Sequence, residues 1–362
     1  MIMWPASMPP PAWPGPPQIA ALREDGTVDP SQGQGLHDEL AIALYEQMVL
    51  SRETDAHLVA LQRQGRIMHH ASAHGEEAAV VGAAAAIRDE DWMFLASREF
   101  AAALWRGMPL AALIHHALGA ASAPGRGRDA QAPPYWKPAR VVSTSPLSAT
   151  QVPHAAGVAW SARARREDVA ALVFFGEGAT SSSDFHSGLN FAGVTRSPLL
   201  AVCRNNGWAT STSADRQTAS DGFAVKAVAY GVRAVRVDGA DVVAVFGVVR
   251  EARERASAGE GCTLIEAVTT PRAGAESDAS WSARDPIARM RRHLEHRGLW
   301  SEERDAQLRA EVTADVERAI AEADRPSAAP IDDFAEEVYA QMPWHLREQS
   351  RAMTPRGPAA GG

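Results

Sequence analysis

Apolar residues fall close to helical spacing at Leu40, Leu44, Met48, Leu58 and Leu61, and Gly65 closes the pattern. This predicts a long amphipathic helix, with order beginning at Leu36. Further helices are expected over 75–87, over 99–118 with a break near Gly107-Met108-Pro109, and over 150–165. The small residues of 75–87 would let another backbone approach closely. The middle of the chain reads differently. The runs VAALVFF (169–175), PLLAVC (198–203), GVRAVRV (231–237) and CTLIEAV (262–268) are short and β-like, with a helix near 180–192 between the first two. Strands separated by helices imply a parallel sheet, so the expected fold class is α/β, a mainly parallel sheet with helices on both faces.

Beyond Pro286 the chain turns charged and helical, with an apolar stripe at Leu308, Val312, Val316 and Ile320 that Pro326 ends. A short helix is expected over 332–342. The stretch from Gly119 to Arg140 is a long Gly/Pro/Ala-rich loop carrying Arg126, Arg128 and Lys137. Prolines early in residues 1–35, and Gly33 and Gly35 later, deny that arm regular structure. The organisation expected is an arm over 1–35, an α/β domain over 36–325, and a helical extension and tail over 326–362.

Composition narrows the function. With 362 residues, 46% hydrophobic and 22% charged, the chain has a core to bury and is neither disordered nor fibrous. A net charge of -8 argues against a general nucleic-acid binder, which needs a basic surface. The longest apolar runs are too short to span a membrane. Cys203 and Cys262 sit in apolar runs, as small buried hydrophobes do in a reducing compartment. The proline-rich start matches no secretory or transit signal, so a cytoplasmic location is expected.

The segment VFFGEGATSSSDFHSGLNFAG (173–193) carries the chemistry. An apolar strand runs into Gly176-Glu177-Gly178 and a helix opens soon after, a setting in which backbone N–H groups approach a phosphate. Glu177 would repel phosphate unless Mg²⁺ stood between them, since that ion accepts a carboxylate together with phosphate oxygens. An ordinary turn with a solvated glutamate is the alternative. The next strand ends in Arg204-Asn205-Asn206-Gly207, bringing oxygen donors and a cation to another strand's C-terminal end. Asn206 and the carbonyl of Trp208 could supply further hard ligands, although Asn-Asn-Gly is also a common turn.

GEG, 26 residues (179 through 204), then NN resembles the thiamine diphosphate motif, an acidic G-x-G followed by paired asparagines. The whole stretch GEGATSSSDFHSGLNFAGVTRSPLLAVCRNNGWATST resembles the α subunit of the branched-chain 2-oxoacid dehydrogenase decarboxylase component. So do QGRIMHHASAHGEEAAVVGAAAA (64–86), SREFAAALWRGMPL (97–110), STSPLSATQVPHAAGVAW (143–160), DPIARMRRHLEHRGLW (285–300) and VYAQMPWHLREQ (338–349), in that order. The likeness covers about 36–350.

The resemblance implies a thiamine diphosphate-binding fold, with the cofactor at the boundary of an α and a β subunit. By similarity, Glu177 and Asn206 bind Mg²⁺ through side chains and Trp208 through its carbonyl. Gly178 and Ala179 offer backbone groups to the diphosphate, Arg98 and Arg204 offer guanidinium groups, and Ser145, Pro146 and Leu147 line the cofactor. The implied reaction is oxidative decarboxylation of a 2-oxo acid, with a branched-chain acid as the expected substrate and acyl transfer to lipoyl. The implied partners are a β subunit, in a heterotetramer, and a lipoyl acyltransferase.

Two departures stand out. Ser97 precedes Arg98 where the family has tyrosine. In the loop after 262–268, relatives carry a histidine where this chain reads Arg272-Ala273-Gly274-Ala275-Glu276-Ser277-Asp278. Glu276 therefore takes the catalytic position, and His69, His70, His74 and His154 are the histidines that could substitute. Ser277 matches a position phosphorylated in some relatives. Alternatives are a catalytically impaired, cofactor-binding paralogue with a regulatory or scaffolding role, or a pyruvate- or acetoin-type relative.

Overall fold

The apolar runs at 169–175 and 198–203 become two adjacent central strands of a seven-stranded sheet. The computed structural model describes residues 14–29, 36–130, 132–269, 283–324 and 339–353. In chain order the elements are β1 (Gln18–Ile19), α1 (Asp38–Arg63), α2 (Glu77–Ala85), β2 (Trp92–Phe94), α3 (Phe100–Trp105), α4 (Leu110–Leu118), β3 (Val141–Val142) and α5 (Gln151–Ala164). There follow β4 (Ala171–Gly176), α6 (Ser183–Thr195), β5 (Leu199–Asn205), a small antiparallel hairpin of β6 (Trp208–Ala209) and β7 (Thr212–Ser213), and α7 (Ala214–Gln217). Then come β8 (Arg233–Asp238), α8 (Val242–Ser257), β9 (Thr263–Val268), α9 (Pro286–His296), α10 (Glu302–Ala323) and α11 (Trp344–Met353).

The sheet runs β1-β8-β9-β5-β4-β2-β3, and its neighbouring strands pair in parallel. This is the expected fold class. Period-two alternation divides β4 between two cores. Leu172 and Phe174 pack in the core that includes α1, α2 and α8, whereas Val173 and Phe175 join α5 and α6 on the other face. The break in the third predicted helix is real: α3 stops at Trp105 and α4 begins after Pro109. The backbone that approaches the small residues of α2 belongs to α8. A Cβ at Gly82 would stand 3.0 Å from the Val242 carbonyl oxygen. Cys203 and Cys262 are buried free thiols. No helix among the described residues is long and apolar enough to cross a membrane.

The N-terminal arm departs from expectation. Gln18 and Ile19 pair with Arg236 and Val237 of β8. The amides of Ala21 and Leu22 both donate to Asp241 Oδ2 at 2.6 Å. Asp241 also caps α8 through the Ala244 amide. One buried carboxylate thus straps the segment to the body, and local composition carries no trace of such a contact. Most of the helix expected over 332–342 lies outside the described residues; the described remainder is not helical, and α11 follows at Trp344.

Candidate active site

Parallel strands deliver their C-terminal ends to one edge of a sheet, where ligand sites form. Here four neighbouring strands in the order β5-β4-β2-β3 do so. Gly176, the last residue of β4, pairs in register with Arg204 of β5. The glycine-glutamate turn and the arginine-asparagine segment, 28 positions apart, therefore share one rung. Beyond β2 comes Arg98, and beyond β3 come Ser145 to Leu147. These segments wall a cleft of about 330 Å³.

Glu177 opens a single 3-10 turn, Glu177–Ser181, that leads into α6. It is 2% exposed, and its Oε1 is buried with no hydrogen-bond partner among the described residues. Burial pushes its carboxyl above the usual carboxylate range and nearby Glu76 adds to this; its own amide, Arg204 and the Asn206 amide pull the other way. The Asn pair shapes the loop beyond β5. Asn205 accepts from the Gly207 amide at 2.9 Å, and Asn206 Oδ1 accepts from the Trp208 amide at 3.0 Å. These are consecutive Asx turns, and Gly207 at φ +82° supplies the left-handed backbone they need. Behind Glu177, Lys226 Nζ donates to Thr180 Oγ1 at 2.7 Å.

Arg204 is 3% exposed, and its two terminal nitrogens pair with Glu76 and Glu99, both buried. Glu76 also accepts from Asn206 Nδ2 at 2.9 Å. Three buried carboxylates (Glu76, Glu99 and Glu177) thus gather around one buried guanidinium. That arrangement is short of positive charge, which a divalent cation would supply. Arg98 lines the same cleft and has a buried Nε without a partner among the described residues. At Gly176 a Cβ would meet no protein atom within 4 Å, so space there is open to a ligand. Gly178 is different: its Cβ would lie 2.5 Å from Ala209 Cβ, so only glycine lets the turn and the β6 hairpin touch.

The cleft brings together Arg98, Ser145, Pro146, Leu147, Glu177, Gly178, Ala179, Arg204 and Trp208. Asn206 is not part of its wall; its Oδ1 accepts from the amide of Trp208, which is. Among the candidate histidines, His69 lines the cleft, while His74 and His154 do not. Glu276 and Ser277 lie outside the described residues. No group of three or more His, Cys, Asp or Glu side chains poised to hold a metal occurs among the described residues. Sequence reasoning passed over Glu76 and Glu99. The available signal was two adjacent carboxylates, Glu76 and Glu77, at the head of an otherwise apolar helix, where acidic side chains are buried only with partners. Glu77 has its own partner in Arg52.

Residues 45–331 match the family described as "Dehydrogenase E1 component". The 2-oxoisovalerate dehydrogenase subunit alpha 1, mitochondrial, of Arabidopsis thaliana is 37% identical over 350 residues, covering 92% of this chain and 74% of that protein. The pyruvate dehydrogenase E1 component subunit alpha of Staphylococcus aureus is 34% identical over 345 residues, 91% of each chain. The 2-oxoisovalerate dehydrogenase subunit alpha, mitochondrial, of Bos taurus is 36% identical over 347 residues, 91% of this chain and 76% of that one. With its parallel sheet, its glycine-glutamate turn and a family match across most of its length, this chain belongs to the dehydrogenase E1 component family.

Proposed function

We propose that the chain is the α subunit of a thiamine diphosphate-dependent 2-oxoacid dehydrogenase, holding the cofactor's diphosphate through Mg²⁺. The observation that carries this is Glu177 Oε1, a buried acceptor with no partner among the described residues, on a cleft it shares with Arg98. Glu177, Asn206 and the Trp208 carbonyl would hold the metal, a hard-oxygen set suited to Mg²⁺. Arg98 and the backbone of Gly178 and Ala179 would hold the diphosphate, with Arg98 able to make a bidentate contact. Arg204, already engaged by two carboxylates, contributes its field and fixes Glu76 in place. Ser145 to Leu147 would form the wall of the cofactor site. When bound, thiamine diphosphate supplies a carbanion that adds to a 2-oxo acid's ketone and an electron sink for decarboxylation.

Leu147 is 68% exposed and Trp208 51% exposed, both on the cleft. Large apolar side chains open to water at a site's mouth support a further subunit covering it, here the β subunit. Acyl transfer to a lipoyl acyltransferase would complete the reaction, as the E1 family membership suggests. The test is co-expression with the β partner and assay of carbon dioxide release from 2-oxo acids. Release that requires added thiamine diphosphate and magnesium is expected. No release from any 2-oxo acid by a complex saturated with both would contradict the reading.

A further inference from the structure

His69, Ala71, Ser97 and Pro146 line the cleft and also a second cavity of about 320 Å³, so the two spaces share a wall. The second cavity is two-natured. Leu58, Ile67, Phe100 and Leu113 give it apolar sides, and His70, His116 and the Ser97 hydroxyl give it polar points. The imidazoles are held in place. His70 Nε2 donates to Asp55 Oδ1 at 2.8 Å, and Asp55, 3% exposed, also accepts from Ser72 Oγ at 2.6 Å and the Ala73 amide at 2.9 Å. His116, 4% exposed, directs Nε2 to the Ala132 carbonyl at 2.9 Å. His70 thus has one nitrogen committed to protein, leaving Nδ1 as its remaining polar atom, while His116 Nδ1 faces Asp129 Oδ1 at 3.6 Å.

We infer that this second cavity receives the substrate's side chain and selects a 2-oxo acid with an aromatic ring that ends in a hydroxyl group. The inference rests on the proposed function and names its substrate class. Size argues for a ring, because a cavity of about 150 Å³ already holds benzene. A three- or four-carbon branched chain would leave much of the space empty and offer nothing polar to His70 Nδ1. Charge argues for a hydroxyl over a carboxylate. Asp55 stands behind one imidazole, and Asp129 Oδ1 lies 3.6 Å from His116 Nδ1. Negative charge beside both rings disfavours an anionic tip, whereas a hydroxyl can donate or accept as its neighbours require.

The experiment uses the α chain co-expressed with its β partner, saturated with thiamine diphosphate and magnesium and given an artificial electron acceptor. kcat/KM is measured for para-hydroxyphenylpyruvate, phenylpyruvate and 2-oxoisovalerate, and binding of the unreactive acid para-hydroxyphenylpropionate is measured by calorimetry. The hydroxylated aryl acid should exceed 2-oxoisovalerate by at least about tenfold, since sites built to bond a hydroxyl discriminate strongly against analogues lacking it. His70→Phe, and separately His116→Leu, should each reduce the preference for the hydroxylated over the plain aryl acid by about tenfold while cofactor affinity holds. A faster reaction with 2-oxoisovalerate than with both aryl acids, no binding of the unreactive acid, or an unchanged preference in both variants would overturn the inference. In each of those cases intact cofactor binding leaves the proposed function standing. Loss of cofactor binding in the unmodified complex would overturn that function and this inference with it.

Discussion

Asn206 donates through Nδ2 to Glu76 Oε1 at 2.9 Å, joining the loop beyond β5 to the head of α2 across 130 positions of sequence. The same Glu76 carboxylate pairs with Arg204. One side chain therefore sets both the last charged residue of β5 and the loop that presents Trp208. Glu76→Ala should cost about 1–3 kcal/mol, because Arg204 keeps Glu99 while one guanidinium nitrogen and Asn206 Nδ2 lose their buried acceptor. Urea unfolding measures this. Glu76→Gln, which keeps a carbonyl acceptor for Asn206, should cost less.

Gly178 is required by its closeness to Ala209. Gly178→Ala should destabilise the chain by about 1–3 kcal/mol, as overpacking does, and shift the hairpin carrying Trp208. Gly178→Ala combined with Ala209→Gly removes the colliding Cβ, and the new methyl group then stands 3.4 Å from the backbone of residue 209. The double variant should recover most of the lost stability in thermal melts. Destabilisation equal to the sum of the single variants would show that the collision is not the cause.

Glu177 makes stability depend on pH in a defined direction. Burial raises its carboxyl above the unfolded value of about 4.3, so the folded chain holds that proton more tightly than the unfolded one. The stability this group contributes is present below that value and is lost as pH rises through the folded pKa. In chelator, Glu177→Gln should flatten that part of the profile and stabilise the neutral-pH protein by about 1–3 kcal/mol, the cost of an unsatisfied buried group. Melting curves across pH compare the two proteins. An identical decline in both would remove Glu177 as its source.

The sequence was legible where physics is local. β4, β5 and β9 were visible as short, almost wholly apolar runs because burial on both faces leaves no room for polar positions. The glycine-glutamate turn and the asparagine pair were visible because turns demand those residue types. What escaped depends on distant partners. β2 and β3 have three and two residues and are defined by pairing alone. The strap at Gln18–Ile19 depends on Asp241, more than 200 positions away. Glu76 and Glu99 become site residues only once β5 brings Arg204 between them. His70 was visible as a histidine, but its bond to Asp55 forms only when α1 packs beside the 66–75 segment.

Assembly should follow from the exposed apolar rim. Leu147 is fixed where it stands: its amide donates to Ser145 Oγ at 3.2 Å and its carbonyl accepts from Thr150 Oγ1 at 3.0 Å. Leu147→Asp changes an exposed side chain and should leave the isolated fold intact, while weakening association with the β partner by tenfold or more, about 1.4 kcal/mol at least. Light scattering of the co-expressed pair should give two α and two β chains for the unmodified protein and smaller species for the variant. An unaltered assembly would place the interface elsewhere.

The central claim is that the cleft at the ends of β4 and β5 holds a diphosphate through a metal ligated by Glu177. Calorimetric titration of thiamine diphosphate into the co-expressed α/β protein with magnesium present tests it most directly, comparing the unmodified protein with Glu177→Gln. The account predicts saturable, magnesium-dependent binding in the unmodified protein and at least about a hundredfold weaker binding in the variant, the loss of one charged ligand being worth roughly 3 kcal/mol. Equal affinity in the two proteins, or binding that ignores magnesium, would contradict it.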